Sequence, residues 1–128
     1  MATMHPTGQD TLKAKETYSL IAADKVEGTS VYDVSGEKMG SIHRIMIDKM
    51  SGQVTYAVMS FGGFLGIGDK YHPLPWTMLT YDEGVGGYVV NLDRRRLEGA
   101  PAYAESEMAW DDPKFGSKVT DYYGPFLH

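Results

Sequence analysis

The sequence predicts an all-β fold, a small and partly open antiparallel β-barrel. Three observations carry that expectation. Short runs rich in β-branched and aromatic residues recur along the chain, glycine-containing turn signals separate them closely, and 128 residues suit one modest core. A barrel is preferred to an open sheet because closure removes edges that so short a sheet would otherwise expose.

Residues 1–17 are polar, lack hydrophobic periodicity and read as a flexible N-terminal arm. From Tyr18 to Pro101 the texture is that of the barrel domain. "VYDV" followed by "SGEK" reads as strand then turn, with Gly36 free to take positive φ. In "MGSIHRIMID" the apolar phase slips between Ile42 and the Ile45/Ile47 pair, which predicts a bulge or a bend. After a second turn at Gly52, "VTYAVMSF" is β-branched and aromatic, then apolar on both faces, as a central strand would be. "LPWTMLTYD" reads as the next strand, "EGVGG" as a turn and "YVVNL" as the last strand. "LDRRRLEGAP" predicts one short helical turn, with Asp93 as N-cap, Gly99 as a left-handed stop and Pro101 just beyond. Residues 102–128 lose the pattern but keep Met108, Trp110, Phe115, Tyr122, Tyr123 and Phe126. That is too aromatic for a solvated tail, so this extension is expected to pack on its own domain or on a neighbouring subunit.

Bulk composition narrows the chemistry. The net charge of -5 is spread along the chain, and no basic face for nucleic acid is expected. Tyr71, Trp76, Tyr81 and Tyr88 could stack bases, but residues 29–92 offer only Lys38, Arg44, Lys49 and Lys70 to phosphates. Absence of cysteine excludes disulfides, thiolate metal sites and cysteine nucleophiles. Neither a signal peptide nor a run of about 20 apolar residues is legible, and the expected location is the cytoplasm.

The stretch "SFGGFLGIGDKYHPLPW" poses the sharpest functional question. A phosphate-binding loop needs Lys-Ser/Thr after its last glycine and then a helix. Here Asp69, Lys70 and Tyr71 follow Gly68, and Pro73 and Pro75 oppose a helix. The glycines therefore serve the backbone. Phe64, Leu65 and Ile67, held between them, are expected either to fold under as core or to project toward another chain. His43 with Asp48, or His72 with Asp69, could contribute to a metal or proton site, but no cluster of three ligands is visible. There is no Gly-x-Ser-x-Gly, and the pairs Asp82-Glu83 and Asp111-Asp112 read as solvated turn acids. No catalytic, cofactor-binding or metal-ligating residue is expected.

The motifs "GTSVYDVSGEKMG", "IDKMSG", "YAVMSFGGFLGIG", "HPLPW" and "GGYVVNL" together resemble a PRC-barrel domain. That family is named for the cytoplasmic domain of the photosynthetic reaction-centre H subunit and recurs as the C-terminal domain of the ribosome maturation factor. The resemblance spans about Tyr18 to Pro101 and is closest to free-standing, single-domain bacterial members. It implies a small, partly open barrel and a docking or assembly role without catalysis or cofactor. The expected partner is a protein, most simply a second copy in a twofold dimer. The candidate interaction surface comprises Phe61, Phe64, Leu65, Ile67, Tyr71, His72, Trp76, Trp110, Phe115, Tyr122, Tyr123 and Phe126, with residues 61–68 or 108–127 between subunits. A small-ligand or metal-binding regulator using a barrel mouth near Tyr71 and His72 is the alternative, and a ribosome-maturation accessory role ranks third.

Overall fold

A repeated turn chemistry sets the strand ends in the computed structural model, which describes residues 16–17, 19–61 and 70–126. At the first turn the Asp33 carboxylate accepts from the backbone N–H groups of Ser35 and Glu37, both at 2.9 Å, while Gly36 closes the turn at φ +91°. Asp48 accepts likewise from Met50 and Ser51 ahead of Gly52, and Asp82 from Gly84 ahead of Gly86. In each case a short carboxylate satisfies turn donors, and glycine takes the conformation that other residues resist.

Six strands result: β1 (Ser30–Tyr32), β2 (Lys38–Ile47), β3 (Val54–Phe61), β4 (Tyr71–Pro75), β5 (Leu79–Asp82) and β6 (Gly87–Val90). They form one sheet in the order β4-β3-β2-β1-β6-β5. The two edge strands, β4 and β5, are joined only by the 3-10 turn Trp76–Met78. Five strand spacings would hold the edges of a flat sheet about 24 Å apart. Three linking residues reach about 14 Å at most. The sheet must therefore curl until its edges approach, and it forms a half-barrel with a seam between β4 and β5. One junction departs from the antiparallel pattern: β1 and β6 run parallel, with Val31 opposite Tyr88.

The expected bulge is present, since the β2–β3 register shifts between Ile42 and Arg44 and sets His43 out of step. Tight curling also needs backbones in contact. At Gly40 an added Cβ would stand 1.9 Å from the Ser60 carbonyl oxygen, so only glycine fits. The register places Val31, Ile42, Ala57, Met59, Leu74, Tyr88 and Val90 on the concave face, where all are buried. These residues are the sheet's part of the core.

Two local expectations are corrected. "LPWTMLTYD" is not one strand: β4 already begins at Tyr71, and the chain breaks at Trp76–Met78 before β5. His72 and Pro73 thus lie in a strand, tolerated because an edge strand has one side without ladder bonds for proline to lose. Gly99 is not left-handed either. It closes helix α2 (Arg94–Glu98) at φ -85°, and its N–H returns to the Arg95 carbonyl. The N-cap is as expected, with Asp93 accepting from Arg96 N–H at 2.8 Å. An unforeseen single helical turn, α1 (Ala23–Val26), precedes β1.

The largest addition is helix α3 (Pro113–Tyr123) in the extension. Asp112 caps it by accepting from Lys114 N–H at 2.9 Å, and Pro113 fills the first turn. Phe115, Val119 and Tyr123, spaced four apart, share one helix face and are buried in the core. The helix packs along β4. Upstream, Tyr103 exchanges backbone hydrogen bonds with Tyr71 at 2.8 and 2.9 Å, so the outer side of that edge is occupied. Among the described residues no helix is long and apolar enough to cross a membrane.

Candidate functional site

Alternation along a strand sends neighbours to opposite faces, and this sorts the candidate surface residues. Phe61 and His72 occupy the concave side with their rings edge to face, centroids 5.7 Å apart. The Arg94 guanidinium lies 5.3 Å from the Phe61 ring and also reaches Glu37 at 3.0 Å. His72 is only 6% exposed, and burial pushes its pKa below the ordinary value, opposed by the Pro101 carbonyl. Its Nδ1 has no hydrogen-bond partner. Tyr71 faces the convex side and stacks on His43. Tyr71 and His72 therefore do not converge on one mouth.

The C-terminal candidates divide between core and surface. Phe115 and Tyr123 are buried, and burial raises the Tyr123 phenol pKa. Trp110 is half-buried between Phe115, at 5.0 Å, and Tyr56, at 5.4 Å. Tyr122 is half-buried, and its hydroxyl donates to the Arg96 carbonyl at 2.6 Å. Phe64, Leu65 and Ile67 lie outside the described residues, as does the Phe126 side chain, so the glycine-loop expectation has no structural counterpart here.

Trp76 leads to a site that sequence reasoning missed. Its ring meets Tyr88 at 5.3 Å, and Tyr88 meets Tyr81 at 5.1 Å, both nearly edge to face. This aromatic row lines the β5 side of the seam. Facing it, Glu16 and Ile21 pair in an antiparallel bridge. The Tyr81 hydroxyl donates to Glu16 at 2.7 Å, and Lys25 approaches the same carboxylate at 2.9 Å. Those hydrogen bonds, Lys25 first, hold the Glu16 carboxyl below its usual range, and the Glu16 bond pushes Tyr81 up to about 12. Between the two walls runs a groove of about 550 Å³ of mixed lining, with Leu20, Ile21, Tyr81 and Tyr88 on its apolar part and Glu16, Thr17, Ser19 and Glu83 on its polar part. Leu20 is 71% exposed. A lone leucine in "TYSLIAADK" gave no signal, because only the curl brings it beside Tyr81.

Four of the polar candidates, His43, Asp48, Asp82 and Asp112, are engaged within the fold, and Asp69 lies outside the described residues. His43 reaches Glu105 rather than Asp48, with 2.5 Å between Nε2 and Oε1, and Arg44 joins them at 3.1 Å. Asp48 and Asp82 are turn acceptors and Asp112 is a helix cap. Among the described residues no three His, Asp or Glu side chains gather to hold a metal ion.

A family model described as PRC-barrel domain matches residues 19–97, which takes in all six strands and most of α2. No curated protein matches the chain.

Proposed function

The chain belongs to the PRC-barrel domain family, and from that membership we propose that it is a non-catalytic docking and assembly module that associates with a second copy of itself in the cytoplasm. The observation that carries this reading is the asymmetry of the half-barrel's two edges. The β4 edge is taken by Tyr103 and α3, whereas the β5 side of the seam carries an open groove in which Leu20, Ile21 and Tyr81 stand among polar neighbours, Leu20 being 71% exposed. Burying a leucine side chain is worth roughly 2 kcal/mol, so Leu20 anchors an interface without making one alone. Tyr81 and Tyr88 supply the facing wall, and Trp76 packs against Tyr88.

Other exposed apolar residues are weaker supports. Val34 and Met50 are exposed on turns, and neither lines a groove. Single exposed apolar side chains are ordinary. Residues 61–68 remain part of the proposed surface through the apolar side chains of "GGFLGIG".

Capture of an untagged copy by a tagged copy tests the reading. Wild type is retained, and Leu20→Asp or Phe64→Ser/Leu65→Ser weakens retention. Equal recovery of all three proteins at the level of an unrelated bait contradicts self-association. Retention of a different protein in its place assigns the surface to a heterologous partner.

A further inference from the structure

Asp121 breaks a charge rule of helices. It lies in the last turn of α3, where the carbonyl dipoles already favour cations, and that turn has no basic residue. Lys118, three residues earlier, makes no ion pair with it. An exposed carboxylate near the negative end of a helix, with no ion-pair partner among the described residues, is a local inconsistency of the kind that marks sites.

Its surroundings complete a site. Gly116, Ser117 and Thr120 share its side of the helix and, with Tyr56 and Trp110, line a groove of about 460 Å³ whose described lining residues include no Lys, Arg or His. The Tyr56 and Trp110 rings are tilted 47° to each other at 5.4 Å and present aromatic surface to the groove. Gly116 keeps the floor open, because a Cβ there would stand 3.1 Å from the Tyr56 hydroxyl oxygen.

We propose that this groove binds an organic ammonium ion, with the charged head at Asp121 and its methyl or methylene groups against Tyr56 and Trp110. Ring faces attract cations and also accept hydrocarbon, and the Ser117 and Thr120 hydroxyls can accept from ammonium N–H groups. The alternatives fit less well. Anions meet Asp121 at one end and Asp112 at the other, where Asp112 already caps the helix N-terminus. Hard metal ions need several oxygen ligands together, which the described residues do not assemble.

The test is an amide-resolved NMR titration of the full chain with butylammonium and tetramethylammonium chloride, against sodium chloride at matched ionic strength. Saturable shifts at Gly116, Ser117, Thr120 and the Trp110 indole support the site. Preference for butylammonium assigns the main contact to N–H donation, and preference for tetramethylammonium assigns it to the ring faces. Asp121→Asn weakens binding about fivefold, while Glu27→Gln, an exposed acid that lines neither groove, leaves it unchanged. Shifts that grow linearly without saturation, that spread over all acidic surfaces, or that Glu27→Gln weakens equally overturn the proposal. The wild-type titration alone decides if a variant fails to fold.

Discussion

The His43 ring lies on the Tyr71 ring, centroids 4.3 Å apart and planes 18° from parallel, and so ties the β2 bulge to the β4 edge. The same imidazole holds Glu105, at the start of the segment that covers that edge. A one-residue irregularity in β2 thus positions the clasp for the whole C-terminal extension.

Acid opens this clasp. The His43 hydrogen bond, with help from Arg44, holds the Glu105 carboxyl below its ordinary 4.5. A depressed carboxylate contributes in full above its unfolded value and loses that contribution as pH falls through its folded one. Protection of the Tyr103 amide, which bonds the Tyr71 carbonyl, relative to its intrinsic exchange rate is expected to hold down to about pH 4.5 and to fall below it. Glu105→Gln is expected to exchange faster already at neutral pH. Identical protection in both proteins throughout would remove the clasp.

His72 gives a second pH dependence, at milder acidity. Its folded pKa is depressed by burial below 6.5, so the unfolded chain takes up the proton first. Stability is full above about pH 6.5 and declines as pH falls below it. His72→Phe flattens that decline in urea melts between pH 7 and pH 5. An unchanged slope shows that another group sets it.

Gly40→Ala tests the curl. The new methyl would meet the Ser60 carbonyl at 1.9 Å, and neither strand can move without opening the sheet. A loss of about 3 kcal/mol or more in denaturant unfolding is expected. A loss under about 1 kcal/mol would mean that the strands are not so closely pressed.

Removing residues 103–128 uncovers the β4 edge and strips Phe115, Val119 and Tyr123 from the core. Exposed edges template pairing between chains. The shortened protein is expected to aggregate under conditions that keep the full chain in solution, as light scattering would record. In the full chain Phe115→Ala costs about 3 kcal/mol.

Much of the barrel was legible because its signals are local. Gly36 and Gly52 marked turns, the slip between Ile42 and Ile45 marked the bulge, and the doubly apolar end of "VTYAVMSF" marked an interior strand. The turn role of Asp33 and Asp48 gives no pattern to read, since their work is hydrogen bonding to turn amides. Helix α3 had its signals too, an Asp-Pro start and apolar residues at 115, 119 and 123. Gly116 and the aromatic residues diluted them. Neither groove could be read from the chain, since Leu20 meets Tyr81, and Tyr56 meets Trp110, only after folding.

The most direct test of the docking role is the mass of the full chain in solution by multi-angle light scattering at micromolar concentration. A species of about twice 14.2 kDa is expected. It should strengthen with added salt, because each copy carries a net charge of -5 that screening relieves, and Leu20→Asp should shift it toward the single-chain mass. A clean 14.2 kDa species at every salt concentration, unchanged by Leu20→Asp, would contradict the account.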